Sequence, residues 1–277
     1  MKKLASMVVG LLLVGGLLAG CGATAQAPAP APSGGNNAAA SVPADVKAIK
    51  DRGVLKVGVK VDVPKFGYKD PQTNKIDGFE IDLAREMAKK IVGDPTKLEL
   101  TAVTAKTRGP LLDSGDVDMD ISTFTITDER KKSYNFSDPY FTDGVGLLVK
   151  KAAGYKSLKD LNGKKIGVAQ SATSKQAVEQ EAARVGVKVT FQEFATYPEI
   201  KAALDSGRVD AFSVDRSILY GYVDDSTVVL DDKFSPQDYG IATKKGNDGL
   251  AKVVNDTVNE LKKSGEIDKL IQKWGLK

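Results

Sequence analysis

The sequence predicts an α/β protein of two domains, each an open, mostly parallel sheet flanked by helices, and three observations carry that prediction. The chain has 277 residues, 42% of them hydrophobic, enough to build more than one core. Strand-like and helix-like patterns alternate along it, the rhythm of a parallel sheet made of βα units. Leu112-Asp113-Ser114-Gly115-Asp116-Val117-Asp118 recurs as Leu204-Asp205-Ser206-Gly207-Arg208-Val209-Asp210. Each copy reads as a helix end, a glycine turn and a strand start, so two related halves are expected.

Residues 1–20 carry Lys2 and Lys3 and then an apolar run from Met7 to Leu18, the layout of a secretory signal. Leu18-Ala19-Gly20-Cys21 follows, which resembles a bacterial lipobox whose cysteine is lipidated and becomes the first residue. Cys21 is the only cysteine, so no intramolecular disulfide forms. Residues 22–41 hold no charge and read as a flexible tether. The expectation is an exported protein held by lipid at the outer face of a membrane, with a tether over 21–44. The first domain then runs over 45–143 and 237–277 and the second over 144–236, with hinge strands at its ends. No later segment is apolar enough to cross a bilayer. Net charge is +4 with basic and acidic residues mixed, which points away from a nucleic-acid surface. The absence of histidine removes the commonest general base and metal ligand, and catalysis is disfavoured.

In order, Leu55–Val61 reads as a buried strand. Residues 78–92 place Phe79, Leu83, Met87 and Ile91 on one helical stripe. Leu98–Val103 reads as a strand and Lys106–Ser114 as a short helix closed by Gly115. Asp116, Asp118 and Asp120 alternate with Val117, Met119 and Ile121, which favours a half-buried or edge strand over a metal cluster. Gly144–Lys150 reads as a strand leaving the first domain and Gln237–Thr243 as one returning. Between them come strand Lys165–Ala169, helix Ser174–Val185, strand Lys188–Phe191, helix Tyr197–Ser206 and strand Arg208–Val214. Helices over 247–263 and 267–274 return to the first domain, with Trp274 as a packing anchor.

Thr123–Phe141, TFTITDERKKSYNFSDPYF, is the most informative stretch. Thr123, Thr125 and Thr127 alternate as residues of one strand face, and Arg130 follows a strand-to-helix turn. Free N–H groups at a helix start and a planar guanidinium make a carboxylate trap. Surface pairing of Arg130 with Asp128 or Glu129 is the plainer alternative.

TFTITDERKK with FSDPYF closely resembles the amino-acid-binding proteins of bacterial ABC importers, solute-binding protein family 3. The resemblance runs from about Val54 to Trp274 through GFEIDLAREMAKKI, LKDLNGKKIGV, SGRVDAF and YGIA. It implies a two-domain clamshell of the type II periplasmic-binding-protein kind, with two crossover strands as a hinge. It also implies Arg130, assisted by Thr125 and the Thr173 backbone N–H, on a ligand α-carboxylate. Asp215, with Thr123 and Thr125, would meet the α-ammonium. Lys60 stands where many members carry an acid, and Arg108 precedes the next helix; members selective for acidic amino acids resemble the chain there. Together with Tyr197, these suggest aspartate or glutamate, unless Lys60 and Arg108 are exposed or paired with nearby acids. Ser171 replaces a usual glycine, and Phe66 is a candidate wall of the site.

The expected protein is therefore a monomeric, lipid-anchored receptor that passes an acidic amino acid to an ABC importer permease, without cofactor, metal or catalysis. A receptor for a polar neutral amino acid such as glutamine, a dehydratase on the same scaffold, a sensor domain and an adhesin are the alternatives.

Overall fold

The computed structural model describes residues 42–276; the expected signal segment, Cys21 and the tether up to Ser41 lie outside the described residues. The first element, α1 (Ala44–Arg52), escaped the sequence reading because only Val46 and Ile49 mark its buried side. It is placed by a contact distant in sequence: the Asp45 carboxylate accepts the Leu250 N–H at 2.8 Å, satisfying a donor at the start of the long helix near the C-terminus.

Strand β1 (Leu55–Val59) follows, then a small antiparallel sheet of β2 (Asp62–Val63), β3 (Gly67–Lys69) and β4 (Ile76–Asp77). Two- and three-residue strands leave no readable period, so none of the three was expected. Helix α2 (Phe79–Val92) buries the expected stripe of Phe79, Leu83, Met87 and Ile91. Next come β5 (Leu98–Ala102), α3 (Arg108–Ser114), β6 (Met119–Ile121), α4 (Asp128–Ser133) and β7 (Tyr134–Phe136). Strand β6 lies inside the sheet and even Asp120 is buried, so it is neither half-buried nor an edge.

The chain crosses to the second lobe along β8 (Phe141–Lys150) and continues through β9 (Lys165–Ala169), α5 (Ser174–Val185), β10 (Thr190–Phe194), α6 (Tyr197–Asp205), β11 (Ala211–Asp215), α7 (Arg216–Leu219) and β12 (Thr227–Val229). The return divides into two. Strand β13 (Phe234–Tyr239) pairs with β8 in the second lobe, and β14 (Ala242–Lys244) joins the first-lobe sheet. The expected single strand over 237–243 is broken at Gly240 and Ile241, where the chain changes sheets. Helices α8 (Asp248–Lys263) and α9 (Glu266–Lys273) close the first lobe. Trp274 donates its indole N–H to Asp82 on α2 at 2.7 Å, as a packing anchor.

The sheet orders are β5-β1-β6-β14-β7 and β10-β9-β11-β8-β12, with β13 also on β8. Each keeps a three-strand parallel core. The crossover strands β8, β13 and β14 run antiparallel to their neighbours, which makes the sheets mixed rather than mostly parallel.

The internal repeat is structural as well as textual. Gly115 and Gly207 both close their helix turns at left-handed φ values of 80° and 76°, where a side chain is strained. Asp118 accepts the Lys56 N–H at 2.8 Å, and Asp210 accepts the Lys165 N–H at 2.9 Å. In both lobes this aspartate ties a crossover turn to the first strand of a βα unit.

Candidate functional site

Helices α3 and α5 start beyond the carboxyl ends of β5 and β9, and β11 delivers Asp215 as its last residue, so these polar groups converge on the crevice between the sheets, the usual ligand position in open α/β sheets. Six predicted residues, Arg108, Thr123, Thr125, Thr173, Tyr197 and Asp215, line one cavity of about 10 Å³, room for about a single water. Lys60 and Arg130 lie outside its lining.

On the first-lobe side the threonines do not continue a strand. Strand β6 stops at Ile121 and Thr123 turns left-handed at φ 50°, a conformation costing a side-chain-bearing residue about 1–2 kcal/mol. The turn is clamped from two directions. Buried Glu80 accepts the Thr123 N–H at 2.6 Å and the Tyr140 hydroxyl. Arg108 Nη1 donates to the Ser122 and Thr123 carbonyls at 2.9 and 3.3 Å. Burial pushes Glu80 up to about 7 and neighbouring Asp120 up to about 6.

The Phe124 ring lies beneath both guanidinium groups, 3.7 Å from Arg108 and 4.8 Å from Arg130, an arrangement that favours a desolvated cation. Thr127 caps α4 by accepting the Arg130 N–H. Arg130 itself reaches across the crevice, donating from Nη1 to Thr125 O at 2.7 Å and from Nη2 to Ser171 O at 3.0 Å. It does not pair with Asp128 or Glu129, which pair instead with Lys131 and Lys132. Burial, then the neighbouring Arg108 charge, pushes Arg130 down to about 9, a cation short of negative partners.

Lys60 departs from the expected role. It is buried with its ammonium 3.0 Å from Asp62 and 4.5 Å above the Tyr197 ring. Its charge is already met, and desolvation holds its pKa down against the opposing pull of Asp62. Arg108 also spends Nη1 on backbone, although its buried Nε has no acceptor among the described residues. Phe66 is not a wall either, because it is fully buried among Phe79, Phe141 and Tyr239.

On the second-lobe side, Ser171 takes a left-handed turn at φ 62°, a conformation that glycine adopts without strain. Thr173, the residue preceding α5, does not cap it; its hydroxyl donates to Gln237 at 2.6 Å. The first-turn N–H groups of α5 therefore lack the side-chain acceptor that Thr127 supplies to α4. Ser174, buried beside it, lines the cavity with a hydroxyl that has no partner among the described residues. Asp215 accepts the Tyr239 hydroxyl, and burial pushes its carboxyl up to about 7. Sequence reasoning missed Glu80, Asp62, Gln237 and Tyr239. Only Glu80 carried a signal, an acid beside Phe79 in the first turn of an amphipathic helix.

A family profile described as bacterial extracellular solute-binding proteins, family 3, matches residues 55–277. The glutamine-binding protein of an ABC transporter from Bacillus subtilis is 39% identical over 277 residues, covering 99% of this chain and 97% of that protein. A glutamine-binding protein from Geobacillus stearothermophilus is 41% identical over 87% of this chain and 91% of that protein. A solved structure of an ancestral arginine-binding protein bound to glutamine is 42% identical, with a TM-score of 0.72, over 80% of this chain and 98% of that one.

Proposed function

This chain belongs to the bacterial extracellular solute-binding proteins of family 3, the amino-acid receptors of ABC importers, and from that premise we propose that its ligand is glutamine. An amino acid zwitterion brings two charges that must both lose water, and each is costly to bury without a partner. Arg130, with three of its five donors uncommitted, suits the carboxylate together with the N–H groups at the start of α5. Asp215 suits the ammonium. The cavity is too small for an amino acid, so the lobes part to admit it and Arg130 releases Ser171 as it takes the carboxylate.

The observation that carries glutamine over an acidic ligand is the Lys60–Asp62 pair. Lys60 is already paired with Asp62, so its ammonium is not left over for a second carboxylate. A neutral amide needs one donor and one acceptor, and Arg108 Nε offers the donor. The glutamine-binding relatives support the same reading. Aspartate or glutamate is the second reading, favoured by that same unpartnered Arg108 donor.

Calorimetric titration with glutamine, glutamate, aspartate, arginine and histidine tests this. Glutamine should bind at least about tenfold more tightly than glutamate, a difference of about 1.4 kcal/mol. Tighter binding of glutamate or aspartate would reinstate the acidic ligand, and no binding of any amino acid would sink the receptor reading. The domain boundaries at about 143 and 237 and monomeric action belong to the same proposal, which includes no turnover of the ligand. Lipidation of Cys21 would hold the receptor at the membrane; a Cys21→Ser variant should appear in the soluble fraction, and its retention in membranes would remove the anchor.

A further inference from the structure

The two second-lobe ligand residues share a support that the proposed function does not use. Strand β13 places Gln237 and Tyr239 two residues apart, hence on one face, and both are buried. The Gln237 carbonyl accepts the Thr173 hydroxyl at 2.6 Å, while its amide donates to Ser235 O at 2.9 Å. Tyr239 donates to Asp215, and its ring is fixed by stacking on Phe141 at 5.8 Å and by an edge contact with Phe66 at 6.1 Å. The backbone of the same strand holds the first lobe. Tyr239 bridges Thr125, and Ile126 N–H donates to Asp238 O at 2.8 Å.

We propose that Gln237 and Tyr239 are positioning residues, through which the hinge strand holds Thr173 and Asp215 in place for the ligand's carboxylate and ammonium. The inference rests on the ligand roles given above for those two residues. Diverting the Thr173 hydroxyl to Gln237 keeps it from capping α5, which leaves the first-turn N–H groups of that helix for an anion. The Tyr239 hydroxyl gives buried Asp215 a donor that favours its ionised form. The other groups bearing on Asp215 are Asp143 on β8, Arg108, Arg130 and Tyr197. Asp143 opposes ionisation and the two arginines favour it.

Ammonium binding needs ionised Asp215, so affinity is full above the raised pKa of about 7 and falls as pH drops through it. Tyr239→Phe keeps the ring and removes the donor, so the midpoint of the affinity profile should move to higher pH. At pH 7 glutamine should bind about tenfold or more weakly, as expected on losing a hydrogen bond to a charged group. Gln237→Leu should weaken binding several-fold at every pH with no shift of midpoint. The experiment is calorimetric titration of wild type, Tyr239→Phe, Gln237→Leu and Asp215→Asn with glutamine between pH 5.5 and 8.5. A uniform loss without a midpoint shift in Tyr239→Phe would make that residue merely structural and overturn its assignment, and wild-type affinity in Gln237→Leu would overturn the other. Wild-type binding by Asp215→Asn would instead overturn the underlying site; weak binding by Asp215→Asn with unaltered Tyr239→Phe would overturn only this inference.

Discussion

The two lobes use one construction up to the ends of their inner strands and then diverge in charge. In each, a leucine is buried before a left-handed glycine, and an aspartate three residues later binds the backbone of the neighbouring strand, at Lys56 in one lobe and Lys165 in the other. Beyond that point β11 ends directly in Asp215. The first lobe instead turns left-handed at Thr123 and runs on to Arg130, with Glu80 and Arg108 securing the turn. The difference teaches that the repeated half supplies a scaffold, and that a few residues past the strand end set the charge each lobe presents, which on the proposed function is the charge of a zwitterion that each lobe meets. On the proposed function, a ligand touching both walls would favour the closed form over the open one.

The largest expected effect is on the first-lobe wall. Arg130→Ala should weaken all amino acids alike by roughly thirtyfold or more, the consequence of losing a buried charge contact worth about 2–5 kcal/mol. Loss confined to one amino acid would mean that Arg130 reads the side chain, and the charge division between lobes would fail. The smallest is in the second lobe. Ser171 occupies a left-handed turn at φ 62°, so Ser171→Gly should stabilise the free protein by about 1 kcal/mol in denaturant unfolding. Destabilisation would mean that the serine side chain contributes more than its strain costs.

Much of the fold was legible because periodicity survives burial. The stripe through Phe79, Leu83, Met87 and Ile91 marked α2, and the bounds of β9 and α5 match their patterns in sequence. What escaped depends on partners distant in the chain. Helix α1 is fixed by a cap 205 residues away, and Thr123 breaks its strand-like alternation because Glu80, 43 residues earlier, takes its N–H. The site was legible as a set of residue types, and the structure gathers six of the predicted residues around one cavity. The Lys60–Asp62 pair was not legible because a lysine facing a ligand and a lysine paired with Asp62 have the same sequence; side-chain direction alone separates them. Gln237 and Tyr239 were hidden for a related reason, since a strand meeting both lobes reads as an ordinary return segment.

The most direct measurement of the divided-charge account pairs a ligand change with a protein change. Wild type and Arg130→Ala would be titrated with glutamine and with the same molecule carrying an α-carboxamide in place of its carboxylate. The account predicts that wild type prefers glutamine by roughly thirtyfold or more, and that the preference shrinks to within about threefold in Arg130→Ala because the two changes remove the same contact. Undiminished preference in the variant would contradict it, since the carboxylate would then be held elsewhere than on Arg130.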